Sequence, residues 1–188
     1  MDELGAWREV AQVVQEDTLR KWRKLPVMTT VDYQFSYEVY KTIDELPEED
    51  AWLLREARDV SQNAYAPYSN FQVGAVAKLQ NGQIVAGSNQ ENASYPAGIC
   101  AERVLLSSAA SLYPGVPVLS IAISYRSSEV ESDHPISPCG ICRQSLQEYE
   151  QRVKHPIRLI LGGMEGEIIV VPRSNMLLPL SFTGDDLK

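Results

Sequence analysis

The sequence predicts an α/β protein: a three-layer α/β/α sandwich around a mixed five-stranded sheet. Three observations lead there. Segments with strict apolar–polar alternation are interleaved with segments whose apolar residues recur at helical spacing. Asn81-Gly82, between two alternating runs, is a two-residue hairpin signal. The last two strands are joined only by Gly162-Gly163-Met164-Glu165-Gly166, too short for the roughly dozen residues of a parallel crossover, so that pair is expected to be antiparallel.

The elements follow in order. Trp7, Val10, Ala11, Val14, Thr18, Trp22 and Leu25 are spaced as on a helix over residues 1–27, which Pro26 ends. Met28 follows directly and is a candidate translation start. Val31, Tyr33, Phe35, Tyr37 and Val39 alternate with polar residues, which predicts a half-buried strand at a sheet edge or against a neighbouring subunit. Residues 1–27 are read as an accessory helix outside the main domain.

Pro47 and the acidic turn Glu48-Glu49-Asp50 open a helix that ends near Asn63. Phe71 to Leu79 and Ile84 to Gly87 form the hairpin. A helix is expected from about Cys100 to Leu112, a buried strand over Val118 to Ser124, and a helix from about Cys139 to Tyr149. Ile157 to Leu161 and Glu167 to Val171 complete the sheet.

Charge and composition narrow the function. Seventeen Lys and Arg against 25 Asp and Glu give a net charge of −8, which disfavours a polynucleotide partner. No apolar run approaches the ~20 residues of a membrane span, and the N-terminus lacks a signal peptide's apolar core; a cytoplasmic protein is expected. Three cysteines leave one over from any pairing, so metal or thiol chemistry is favoured over disulfides.

Those cysteines lie in Gly98-Ile99-Cys100-Ala101-Glu102-Arg103 and Ser137-Pro138-Cys139-Gly140-Ile141-Cys142-Arg143. Each group opens a predicted helix, where unpaired N–H groups and the helix dipole favour thiolates. Three thiolates on one zinc ion leave a fourth position for water, the pattern of a catalytic site. Glu102, two residues after Cys100, is placed to handle a proton without being a ligand. Arg103 is a candidate to offset the thiolates' charge, and Arg143 a weaker one. His134, and less so His155, is the rival fourth ligand for a closed structural site, and a redox Cys-x-x-Cys is the other alternative.

The pairing of Cys-Ala-Glu with Pro-Cys-x-x-Cys resembles the zinc-dependent nucleoside deaminases, and within them the short, three-cysteine, homotetrameric cytidine deaminases. Further matching stretches are Ala66 to Ala75, Ser88 to Tyr95 and Leu177 to Phe182. The resemblance implies a cytidine deaminase-like catalytic domain over 47–188 that carries one Zn2+ per subunit on Cys100, Cys139 and Cys142. It implies that water adds to carbon 4 of the pyrimidine while Glu102 shuttles protons, with ammonia lost. Backbone N–H groups at Cys100 and Ala101 would meet the base carbonyl. Asn89 and Glu91 would bind the ribose hydroxyls, and Phe71 would pack on the base. Phe182 would be lent by a neighbouring subunit. The expected substrates are cytidine and deoxycytidine, in pyrimidine salvage, with no nucleic acid or membrane partner. A blasticidin-type deaminase, a polynucleotide deaminase and a non-catalytic zinc-stabilised binding module are the alternatives. The resemblance also sets residues 1–46 apart as an N-terminal extension, an accessory helix and strand; these and the long loop from Arg126 to Ser137 depart from the family pattern.

Overall fold

Pro47 supplies an N-cap with extended backbone, and Glu48, Glu49 and Asp50 place negative charge in the first turn of α1 (Glu48–Val60). Leu53, Leu54 and Ala57 recur at three- and four-residue spacing and are fully buried. A 3-10 turn, Ser61–Asn63, follows directly, so the helical segment ends where expected.

In a computed structural model of the chain, residues 29–188 are described. The helix expected over 1–27, and Met28, lie outside them. Residues 1–34 and 35–188 are separate units, and within the first, residues 29–34 form no helix or strand.

The second unit holds one sheet of six strands: β1 (Glu38–Tyr40), β2 (Phe71–Leu79), β3 (Ile84–Ser88), β4 (Val118–Ser127), β5 (Arg158–Gly162) and β6 (Ile168–Val171). Their order is β1-β6-β5-β4-β2-β3. The β4–β5 pair is parallel and the other four pairs are antiparallel, so the sheet is mixed as expected. Gly82 turns the β2–β3 hairpin with φ 81°. The short Gly162–Gly166 link joins β5 to β6 antiparallel.

The sixth strand corrects the expected five. β1 pairs Glu38, Val39 and Tyr40 with Val170, Ile169 and Ile168 at the sheet edge. It is shorter than the expected strand over Val31–Val39, and its faces are reversed. Val39 is half exposed, whereas Tyr40 packs against the core. Alternation records which side chains are amphipathic, not where a ladder partner exists. β6 has only four residues to offer. Arg158 fastens β1, with its guanidinium 3.3 Å from Glu38 and 3.1 Å from Asp50.

Alternation along the sheet builds two cores. Val76, Ala122, Ile160 and Val170 face α1. Ala75, Ala77, Ile121, Ile123, Leu159 and Leu161 face α2 (Ala101–Leu112) and α3 (Gly140–Val153). The result is the three-layer sandwich. Both helices that carry cysteines therefore lie on one face.

Candidate active site

Cys100 is the N-cap of α2 and Cys139 the N-cap of α3; Cys142 sits in the first turn of α3. All three thiols are free. Cys100 Sγ lies 3.8 Å from Cys139 Sγ, which lies 3.5 Å from Cys142 Sγ. Among the described residues these three form the metal-capable group, with sulfurs all within 4.8 Å of one another. Ligands about 2.3 Å from a tetrahedral zinc ion stand about 3.8 Å apart, so the donor set fits.

Electrostatics points the same way. The Cys142 thiol donates to Cys100 and lowers the Cys100 pKa to about 6, with burial and Glu102 opposing. Cys142 is raised in turn, because Cys100 holds its proton. Burial also raises Glu102, against its own backbone N–H and the Cys142 thiol. The buried Cys142 thiol and the Glu102 carboxyl, which is only 5% exposed, thus sit where negative charge is costly, beside the more accessible Cys100 and Cys139. A divalent cation resolves that cost.

Two close approaches set this geometry. Gly87, buried in β3, packs directly on α2: a Cβ there would lie 2.6 Å from the Ala101 carbonyl oxygen and 2.6 Å from the Leu105 nitrogen. Arg143 donates to the Pro138 carbonyl at 2.8 Å and the Leu177 carbonyl at 3.2 Å. It clamps the turn before Cys139 to the C-terminal segment. Arg103 is half-buried and lines a cavity of about 280 Å³ between α2 and α3, with Ser107, Ser145, Glu148 and Arg152. Its pull on Cys100 is the weakest of those acting there.

His134 stands apart from the thiols. Its ring packs edge-on against Tyr125, and Nδ1 lies 2.9 Å from Asp133. The closed four-ligand alternative therefore loses its better candidate.

Phe71, Asn89 and Glu91 come together on linked backbone. Asn89 Oδ1 accepts from the Val73 N–H at 2.7 Å, and Nδ2 donates to the Phe71 carbonyl at 2.9 Å. Glu91 accepts from the Ser69 hydroxyl at 2.5 Å and from the Tyr68 N–H at 2.9 Å. The Ser69 hydroxyl bond holds the Glu91 carboxyl below its usual range, aided by the Tyr68 and Ser69 N–H groups and opposed by burial. Ser69 Oγ accepts in turn from the Phe71 N–H at 3.1 Å. Ala101 is fully buried at the start of α2. Phe182 is 58% exposed, and its carbonyl accepts from Gln144 at 2.9 Å.

Sequence reasoning missed Ser69, Gly87 and Tyr125. The alternation Ile121, Ile123, Tyr125 would have carried the strand past Ser124 to Tyr125, which is fully buried.

A family model for the cytidine and deoxycytidylate deaminase zinc-binding region matches residues 47–155. The chain belongs to the cytidine deaminase family. Within that family, the cytidine deaminase of Halalkalibacterium halodurans is 37% identical over 136 residues, 72% of this chain and 96% of that protein. The Mycobacterium tuberculosis cytidine deaminase is 35% identical over 146 residues, 76% and 96% of the two chains. A crystal structure of cytidine deaminase from Burkholderia pseudomallei superposes with TM-score 0.62 at 37% identity, over 73% of this chain and all of that one. The three-thiol cluster and the family together fit one Zn2+ per chain.

Proposed function

We propose that this chain is a zinc-dependent hydrolase that deaminates free cytidine and deoxycytidine to the uracil nucleosides and ammonia. One observation carries the reading: three sulfurs, not four donors, meet beside a buried carboxyl that is not one of them. A structural zinc site has no use for that carboxyl.

Cys100, Cys139 and Cys142 hold the ion. When bound, zinc supplies Lewis acidity that makes water a nucleophile near neutral pH. Glu102 takes one proton from the water and delivers it to ring nitrogen 3; it then takes the second, from the hydroxyl added at carbon 4, and delivers it to the departing amine as the carbon–nitrogen bond breaks, so its acid and base forms must interconvert during one turnover. Burial, which favours the protonated carboxyl, suits a group that must give the proton back. Backbone N–H groups at the N-terminus of α2, at Cys100 and Ala101, meet the base carbonyl; helix N-termini offer such unpaired donors. Phe71 packs on the base. Asn89 and Glu91 face the ribose hydroxyls, and a carboxylate at that place repels a 5′-phosphate. Arg103 adds positive charge near Cys100.

A homotetramer in which Phe182 completes a neighbouring site belongs to the same proposal, supported by the exposure of that ring at the C-terminal end. So does a cytoplasmic location, where reducing conditions keep three unpaired thiols available, and a role in pyrimidine salvage. Among the described residues no helix is long and apolar enough to cross a membrane.

The test is direct. Zinc-loaded protein is incubated with cytidine, deoxycytidine, CMP, blasticidin and single-stranded DNA, and the ultraviolet absorbance is followed. Loss of the cytidine and deoxycytidine bands is expected, with CMP and DNA unchanged. Preferential turnover of blasticidin would move the substrate class, and no turnover at all would remove the enzymatic reading.

A further inference from the structure

In the antiparallel β2–β4 ladder, Val73 lies opposite Tyr125 and Phe71 opposite Ser127. Phe71 and Tyr125 are therefore diagonal neighbours on one face of the sheet. That face is the one packed against α2, because Val73 belongs to the cluster containing Ala101 and Leu105. The two rings stack with centroids 4.9 Å apart and planes 18° apart. Tyr125 is fully buried, whereas Phe71 is half-buried and keeps open surface.

Tyr125 is held in turn from behind. Its hydroxyl donates to the Glu131 carbonyl at 3.2 Å and lies 3.2 Å from His134 Nδ1. The His134 ring meets it edge-on, with centroids 5.8 Å apart. The same Nδ1 lies 2.9 Å from the Asp133 carboxylate.

These contacts come from the long loop after β4, and the fold anchors that loop at both ends. The Glu165 N–H donates to the Ser132 carbonyl at 3.1 Å. Gly163 and Gly166 leave space that a Cβ would take from the Ser132 and Asp133 carbonyl oxygens. At the other end, Glu129 accepts from Asn70 Nδ2 at 3.1 Å, one residue before Phe71. The chain of contacts thus runs from Phe71 through Tyr125 and His134 into the loop and returns through Glu129 to Asn70, next to Phe71.

We propose that Tyr125 is a positioning residue: it fixes the plane of Phe71 where that ring meets the pyrimidine, and the Glu129–His134 loop fixes Tyr125. The proposal rests on the functional reading above. An offset aromatic pair of this geometry is worth about a threefold to tenfold change in an equilibrium.

The zinc-loaded wild type, Tyr125→Leu, Tyr125→Phe and His134→Ala are compared. KM and kcat for cytidine, uridine binding by calorimetry, zinc per chain and the thermal midpoint are measured. Tyr125→Leu should weaken uridine binding and raise KM by about threefold to tenfold, with zinc retained and kcat within about twofold. Tyr125→Phe keeps the stack but loses the hydroxyl that the loop holds, so it should shift KM and uridine binding far less than Tyr125→Leu and by about as much as His134→Ala. His134→Ala, a change at an exposed side chain, should shift KM in the same direction by a smaller factor. If Tyr125→Leu is folded but unchanged in KM and uridine binding, Tyr125 only fills the core and the proposal falls. If Tyr125→Leu does not fold, His134→Ala decides: an unchanged KM overturns the proposal. A wild type that neither turns over cytidine nor binds uridine would instead remove the functional reading beneath it.

Discussion

Asn89 holds Phe71 by its backbone: Nδ2 donates to the Phe71 carbonyl at 2.9 Å while Oδ1 takes the Val73 N–H at 2.7 Å. One side-chain amide thus spans the first three residues of β2, where the sheet hands over to the site. The same amide is the one proposed to face the ribose. Asn89→Ala should destabilise the fold by about 1–3 kcal/mol, since it leaves two half-buried backbone groups without partners. Asn89→Asp should do at least as much damage, because it sets a carboxylate oxygen against the Phe71 carbonyl. Chemical denaturation of both variants checks this, and a stable Asn89→Asp would contradict the paired assignment.

Glu91 carries a pH prediction. Its folded carboxyl is held below the usual range, first by the Ser69 hydroxyl. A lowered folded pKa stabilises the 66–70 turn above the ordinary carboxylate pKa; that stabilisation is lost as pH falls through the folded value. Ser69→Ala should raise the Glu91 pKa and make the turn open at higher pH. NMR titration of the Glu91 carboxyl reads the shift directly, and an unmoved titration would show that Ser69 is not the main cause.

Glu102→Gln preserves shape and removes the proton carrier. Turnover should fall by at least about a hundredfold, with one zinc still bound per chain. Chelation of the wild type should instead free the thiols of Cys100 and Cys139 to react and lower the thermal midpoint, because the ion stabilises only the folded thiol arrangement. Metal analysis beside the activity assay separates the two. Loss of zinc in Glu102→Gln would make Glu102 structural.

Gly87→Ala is predicted to disturb a site that it never touches. The added methyl would meet the backbone of Ala101 and Leu105, neither of which can rotate away. The cost should be about 1–3 kcal/mol, and α2 must shift with its Cys100 and Glu102. Zinc affinity measured by competition should fall together with the thermal midpoint; a variant that loses stability at unchanged zinc affinity would mean that α2 does not move.

Glu150 is the buried tie at the far end of α3. Its Oε1 accepts from the Ile157 N–H at 2.8 Å, the Ser174 N–H at 3.1 Å and the Ser174 hydroxyl at 2.7 Å. Glu150→Ala strands all three donors and should cost about 2–5 kcal/mol. Glu150→Gln keeps a carbonyl oxygen in place and should cost less. Equal losses in denaturant unfolding would show that volume, not hydrogen bonding, matters there.

Local chemistry made much of this protein legible in one dimension. Helix starts were marked by Pro47 and by the cysteines themselves, the hairpin by Asn81-Gly82, and the antiparallel last pair by the length of its link. The metal group was legible too, because two short motifs each place thiols at a helix start. What sequence patterns could not supply was partnership. The alternation over Val31–Val39 predicted a half-buried strand, but those residues are exposed and only Glu38–Tyr40 pair, since β6 offers ladder partners to no more. Whether His134 belonged to the thiols or to Tyr125 depended on a loop folded back onto the Gly163–Gly166 turn. Spacing along the chain determines which groups share a helix turn or a strand face. Contacts between segments far apart in sequence, such as Asn89 with Phe71 or Gly87 with Ala101, depend on how closely layers pack, and only the assembled tertiary structure decides that.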